Sequence, residues 1–192
     1  MKLKVNHLFK SFGNLEILSN VNLSLHSGNI YCLMGPSGSG KTTFFRILLG
    51  LLRADSGHIE GLSGVKTAAV FQENCLCEEF TPIENLTMVV AGSSKEVRRK
   101  AKEALLKLLP EESLSRPVST LSGGMKRRVA IARALWIPSD MILMDEPFTG
   151  LDEDTKRIVI RRIIECSENK LVIISTHQEE DAALLQGTLI KL

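Results

Sequence analysis

No stretch of the 192 residues comes near the ~18 consecutive apolar residues that a helix needs to cross a bilayer, so no membrane span is expected. The amino-terminal Met1-Lys2-Leu3-Lys4 alternates polar and apolar side chains and carries no apolar block of the signal-peptide kind. An excess of one charge is also missing. Lys+Arg number 24 and Asp+Glu 22, and a formal net charge of +2 makes no electrostatic footprint for nucleic acid. The four cysteines, Cys32, Cys75, Cys77 and Cys166, form no Cys-x-x-Cys pair and fit no zinc spacing. Cys75 and Cys77 could be redox-active, but buried or idle reduced thiols are the expectation, with a reducing cytoplasm as the simplest compartment. The four histidines include no i, i+4 pair, so a His-based metal site is not expected. Internal repeats, low-complexity runs and dividing linkers are absent as well.

What is present is the composition of an ordinary globular domain, 44% hydrophobic and 24% charged. The length suits one domain, large enough to bury a core without disulfide or metal staples. Residues Val21, Leu23 and Leu25 alternate with Asn22, Ser24 and His26, the pattern of a half-buried strand, and the first thirty residues read as β. Three short runs are apolar throughout: Ile30 to Met34, Met141 to Met144, and Leu171 to Ile174. Such runs suit strands of a parallel sheet covered on both faces. A shorter apolar strand, Ala68 to Phe71, ends at Gln72. The spacing predicts helices over Phe44 to Leu52 and Asp154 to Glu168, the latter with Ile158, Ile163 and Ile164 among its apolar positions. A short acidic helix and a strand over Thr188 to Leu192 close the chain. Gly57 to Gly64 reads as turn-rich, and about Glu73 to Leu135 as largely helical. There Val97, Ala101, Ala104, Leu105 and Leu108 recur at helical spacing. The intervening Lys95, Arg98, Arg99, Lys100 and Lys102 could bind a phosphate-rich partner, but a solvated helix face is the expectation. Strands alternating with helices imply an α/β sheet with helices on both faces.

Three clusters carry chemistry. Gly35-Pro36-Ser37-Gly38-Ser39-Gly40-Lys41-Thr42-Thr43 has the P-loop pattern between a buried strand and a helix. Its glycines let backbone N–H groups wrap a phosphate, and the helix presents its positive end to the same anion. Lys41 should reach the outer phosphates and the Thr42 hydroxyl should ligate Mg²⁺. Asp145 ends an apolar strand, where its carboxylate should hold Mg²⁺, and the adjacent Glu146 can polarise a water for attack on the γ-phosphate. Leu121-Ser122-Gly123-Gly124-Met125 reads as a helix cap, and equally as a second anion-binding helix start. One nucleotide rarely needs two cradles in one compact subunit, so a second subunit could supply it.

In these motifs the chain resembles the ATPase subunit of ATP-binding-cassette (ABC) transporters. The matching positions are Gly35 to Thr42, Gln72, Leu121 to Met125, Met141 to Glu146, Leu151-Asp152 and His177. Leu121-Ser122-Gly123-Gly124 is the most specific, since it separates ABC ATPases from other P-loop proteins. The resemblance implies a P-loop NTPase fold of the α/β class, with an ABC-type core sheet, an N-terminal antiparallel β subdomain and an inserted helical subdomain. It implies a single domain over 1–192, with the helical subdomain at about 74–135. Phe12 then stands where an aromatic stacks on adenine, a task that needs only a π-face. Gln72 matches the Q-loop glutamine, which contacts Mg²⁺ or the attacking water and senses the permease. His177 matches the switch histidine beside the γ-phosphate, and Leu151-Asp152 the D-loop at the dimer interface. Ser122, Gly123 and Gly124 of one subunit would close over ATP held by Lys41 of another. Met125 departs from the commoner Gln, and Thr149-Gly150 from the commoner Ser-Ala. The segment between Gly57 and Gln72 is abbreviated, and the chain is short for the family, without a C-terminal regulatory extension.

The function implied is hydrolysis of ATP with Mg²⁺ in a dimer of cassettes, identical or mixed, that powers solute transport. A separate transmembrane permease would be driven from the cytoplasmic face of the membrane, with no nucleic-acid partner. Gln72-Glu73-Asn74 and the Leu-Ser-Gly-Gly-Met variant look most like importers of the nitrate, sulfonate and taurine type. A soluble, non-transport ABC ATPase is the alternative. A cassette that binds nucleotide without turnover is a third reading, opposed by the presence of both Glu146 and His177.

Overall fold

The computed structural model describes residues 1–90 and 94–192. These fall into two compact units. The first is Met1–Ala69, Ser139–Glu146 and Ser167–Leu192; the second is Val70–Pro138 and Pro147–Cys166.

The first unit begins with the long strands β1 (Lys2–Phe12) and β2 (Leu15–His26), paired antiparallel in register Leu3↔Leu25 and Val5↔Leu23. Leu3, Val5, Leu8, Leu18 and Leu25 are buried, as the period-2 alternation requires of a sheet with one covered face. Here the structure corrects the turn-rich reading of Gly57 to Gly64. Residues Ser56–Glu60 form an edge strand antiparallel to β1, with Val5↔Ile59 opposed. Only Ile59 in it is even half-buried, so no alternation announces the strand. Gly57 lies at a register shift with φ +86°, and a Cβ there would stand 2.6 Å from the Asn6 carbonyl oxygen, which only glycine avoids.

The second sheet is built on β3 (Ile30–Met34). Helix α1 (Lys41–Leu48) follows it and buries Phe44, Phe45, Ile47 and Leu48 in a cluster with Leu33, Leu143 and Ile173. Burying each of these side chains contributes about 1.5–3 kcal/mol. The helix ends at Leu48, before Leu52, and the stop falls at Gly50, the glycine at which the sequence expects it. Gly50 takes φ +71°, its N–H reaches the Ile47 carbonyl and that of Leu51 the Arg46 carbonyl, the Schellman stop. The Ser56–Glu60 edge strand is β4, and β5 (Thr67–Val70), β6 (Met141–Asp145), β7 (Leu171–Ser175) and β8 (Thr188–Lys191) complete the set. The sheet order is β5-β6-β7-β3-β8, and the pairs β6/β7, β7/β3 and β3/β8 are parallel. All five residues of β6 and of β7 are buried, as their continuous apolar runs predict. Because β6, β7 and β3 are parallel neighbours, their carboxyl ends emerge side by side, where open α/β sheets bind ligands. The register sets Asp145 against Ser175, and Ser175 against Leu33.

The second unit is largely helical: α2 (Pro82–Thr87), α3 (Lys95–Leu106), α4 (Gly123–Trp136) and α5 (Glu153–Cys166). The stretch 74–135 falls inside it. Between α3 and α4 the chain makes two short 3₁₀ turns, Glu111–Ser113 and Val118–Thr120, each entered from a proline that cannot prolong a helix. The cations of α3 face solvent and are partly paired: Arg99 with Glu96 and Glu103, Lys100 with Glu96, Lys102 with Glu111. In α5 the structure corrects one apolar assignment, for Ile158 is 50% exposed. The inward face runs Lys156, Val159, Ile160, Ile163, at i, i+3, i+4, i+7, and Ile158 falls off that stripe. Lys156 is buried along it and ion-paired to Glu153 at 2.9 Å. The acidic helix α6 (Glu179–Leu184) lies in the first unit, between β7 and β8. No helix among the described residues is long and apolar enough to cross a membrane.

Candidate functional site

In the first unit, the P-loop from Gly35 to Thr43 joins the end of β3 to α1. The N-cap of α1 is Gly40 at φ +94°, with no side-chain cap. A Cβ on Gly40 would lie 2.7 Å from Leu18 Cδ2 and 2.9 Å from Ile17 Cγ2, so glycine is required for space as well as for backbone. An α-helix leaves its first N–H groups without intrahelical partners, and among the described residues no side chain takes them here. Pro36, Ser37 and Gly38 are exposed, and the Ser39 hydroxyl is buried with no hydrogen-bond partner among the described residues. Lys41 is buried and curls back, donating from Nζ to the Gly35 carbonyl at 2.7 Å and the Pro36 carbonyl at 3.0 Å. An ammonium has three donors, so one remains for a ligand. Open backbone donors, an orphaned hydroxyl and a cation with a spare N–H fit a phosphate chain.

Beside the loop, the Thr42 hydroxyl donates to Asp145 Oδ2 at 2.6 Å, across 103 positions of sequence. A hydroxyl and a carboxylate are hard oxygen donors of the kind Mg²⁺ takes, usually with substrate phosphates completing the shell. No cluster of three or more His, Cys, Asp or Glu suited to a metal exists among the described residues. Glu146 follows at φ +49°, a left-handed conformation unusual for glutamate. That turn takes its side chain to His177, whose Nε2 lies 2.5 Å from Oε1. His177 is exposed in the loop after β7, and Glu146 is half-buried. Phe12, at the end of β1, is exposed, and the Lys10 ammonium sits 5.3 Å from its ring centroid while paired to Asp55 at 2.5 Å. A cation against the ring is a cation–π contact, and a half-exposed ring keeps surface for stacking.

The second unit holds the other motif residues. Ser122 caps α4, its hydroxyl oxygen accepting the Met125 N–H at 3.3 Å. Gly124 packs so closely on the D-loop that a Cβ would lie 3.3 Å from the Gly150 carbonyl oxygen and 3.6 Å from Leu151 Cδ2. Asp152 caps α5, accepting from the Thr155 N–H at 2.9 Å and the Thr155 hydroxyl at 2.8 Å. Those two bonds, the N–H first, hold its carboxyl below the usual value, with the Arg128 charge a minor contributor. Thus Ser122-Gly123-Gly124 and Leu151-Asp152, nearly thirty residues apart in sequence, are brought together. Gln72 is exposed two residues beyond β5. Its neighbours are tied to α4: Arg127 donates to the Phe71 carbonyl at 2.6 Å, and Arg133 to the Asn74 carbonyl at 3.2 Å.

Of the thiols, Cys32 is buried in β3, where burial chiefly, with the Asp181 charge, pushes it up to about 11. Cys75, by contrast, is exposed. Two further residues of the site carry no motif in the sequence: Ser175, whose hydroxyl donates to Asp145 Oδ1 at 2.6 Å, and Asp181, whose carboxylate takes the Thr176 hydroxyl beside His177. The one signal for Ser175 was a hydroxyl closing an otherwise apolar strand.

Sheet order and loop geometry define a P-loop nucleotide-binding protein of the α/β class. The ABC transporter family model matches residues 18–149. The sulfate/thiosulfate import ATP-binding protein CysA of Halalkalibacterium halodurans is 33% identical over 201 residues, covering 95% of this chain. The chain spans only 56% of that relative's length. The phosphonates import ATP-binding protein PhnC of Escherichia coli is 33% identical over 212 residues, covering 94% of this chain and 81% of its own. Among solved structures, the dimeric ATP-binding cassette MJ0796 in a post-hydrolysis state with ADP and Pi superposes at TM-score 0.87, with 30% identity, 99% of this chain and 94% of that one. The chain therefore belongs to the ABC transporter family, as one of its ATP-binding cassettes.

Proposed function

We propose that the chain binds and hydrolyses ATP with Mg²⁺ as one half of a head-to-tail pair of cassettes, driving a separate membrane permease from the cytoplasmic face. The observation that carries this is the convergence, at the ends of β3, β6 and β7, of the open α1 cradle, the Thr42–Asp145 pair and the Glu146–His177 pair. Residues Gly35 to Thr43 would receive the phosphates, Lys41 supplying its spare N–H. Thr42 and Asp145 would hold the metal, which when bound neutralises phosphate charge. Glu146 would accept the proton of the attacking water, kept in place by His177. Phe12 would stack on the adenine. Gln72 would sense the permease.

The second cradle supports the paired arrangement. Ser122 already caps α4 with its oxygen, which leaves its hydroxyl hydrogen free to donate to a phosphate held by another subunit. Gly123 and Gly124 add no side chain that would obstruct that approach. The MJ0796 cassette is a dimer, and the CysA and PhnC relatives are named for import, which favours an importer over a soluble ABC ATPase. Their named substrates are oxyanions, as are nitrate and the sulfonates.

The deciding experiment is Glu146→Gln. Steady-state phosphate release should fall by roughly 10²–10⁴-fold. ATP binding should persist, and an ATP-dependent dimer should accumulate in gel filtration. Turnover at the wild-type rate would remove Glu146 from the reaction.

A further inference from the structure

Ser175 is fully buried at the end of β7, where the preceding residues Leu171 to Ile174 are all apolar. Its hydroxyl is used twice. It donates to Asp145 Oδ1 at 2.6 Å and accepts the Glu146 N–H at 2.8 Å. The other carboxylate oxygen, Oδ2, takes the Thr42 hydroxyl. One side chain therefore touches both acidic residues of the site, each by a different atom.

We propose that Ser175 is a positioning residue for the ATPase reaction, fixing which oxygen of Asp145 faces the metal and holding the Glu146 backbone in the turn that brings its carboxylate to His177. The inference rests on the roles proposed above for Asp145 and Glu146. A carboxylate can rotate about its last torsion, which is broad. Engaging Oδ1 within the sheet leaves Oδ2 pointing to Thr42, the other oxygen donor. Glu146 is left-handed, a conformation that persists only where neighbours over-determine it. Its N–H, directed at Ser175, is such a constraint. A hydrogen-bond partner behind a ligating carboxylate typically controls metal affinity or activity by ~10–100-fold.

The test compares Ser175→Ala, Ser175→Val and Ser175→Thr with the wild type, since Val and Thr share a shape and differ in the hydroxyl. In Ser175→Ala and Ser175→Val, kcat should fall about 10–100-fold with KM for ATP little changed, and Mn²⁺ affinity of the nucleotide-bound protein, read by electron paramagnetic resonance, should fall with it. Ser175→Thr should recover most of both. Affinity for ATP in EDTA should stay near wild type in the variants, while the thermal unfolding midpoint of Ser175→Ala and Ser175→Val should fall by a few degrees, because two buried polar groups lose their partner. If Ser175→Ala keeps kcat and Mn²⁺ affinity within about twofold of wild type, the proposal is overturned. It is equally overturned if metal-free ATP binding falls in step with activity, since that marks a role confined to packing. A wild-type protein that hydrolyses no ATP would instead defeat the reading of function. The Mn²⁺ titration alone then decides the case for Ser175, and an unchanged affinity counts against it.

Discussion

Helix α1 starts at Gly40, left-handed and without a side-chain bond, whereas α4 starts at Ser122, whose hydroxyl caps Met125 N–H at 3.3 Å. Both motifs are glycine-rich, and both helix starts carry positive potential. The difference lies in what the protein itself satisfies. At α1 the first-turn donors are left open, with a buried lysine and an orphaned serine hydroxyl beside them. At α4 one donor is closed by the chain, and the serine keeps only its hydrogen to offer. The first arrangement can hold a phosphate chain alone. The second is stable without a ligand and suits one that arrives already bound elsewhere.

Three changes would break or sharpen that contrast. The largest effect is expected from Lys41→Ala, which removes a charged donor from the cradle. ATP affinity measured by calorimetry should drop on the order of a hundredfold, from the ~1.5–3 kcal/mol of a charge-assisted hydrogen bond. Next comes Ser122→Ala, which should leave the first-unit cradle intact while disabling turnover. Mixed with Lys41→Ala, it should regain partial activity, because one composite site in the heterodimer is whole. A confirmed heterodimer with no recovery would contradict action across the pair. The same substitution removes a cap worth about 1 kcal/mol, lowering the unfolding midpoint by roughly 2–4 °C. The smallest effect concerns Asp152, whose carboxyl is held down by Thr155. A depressed carboxyl stabilises the fold above its unfolded value of about 3.9, and that contribution disappears as pH falls through the folded value. Urea titrations of wild type and Asp152→Ala should therefore converge as the medium is acidified below about pH 4. A gap that stays constant with pH would remove the charge from the account.

Much of this was legible in order of amino acids. Continuous apolar runs named β3, β6 and β7 because a strand covered on both faces needs apolar side chains at every position. The P-loop was legible because glycine spacing and a lysine–threonine pair state a backbone geometry. Strand β4 was not, since an edge strand held by backbone pairing to β1 needs few apolar side chains. Nor does the order of residues mark Lys156 as inward-facing, because a long cation can lie along an apolar stripe and end in an ion pair. Glu146 was named as an acid, but its left-handed backbone was not, as nothing in an Asp-Glu-Pro string announces φ.

The sequence by itself determined which residue types were on hand: a phosphate loop, a strand-end acidic pair, a second glycine-rich helix start. Those depend on local order, and local order is what a chain states directly. Only the tertiary structure decided that β7 lies between β6 and β3, so that Ser175 stands beside Asp145, whose other oxygen meets Thr42. Parallel strands need crossover connections, and the strand order those crossovers yield is set by packing over the whole sheet rather than by neighbours in the chain.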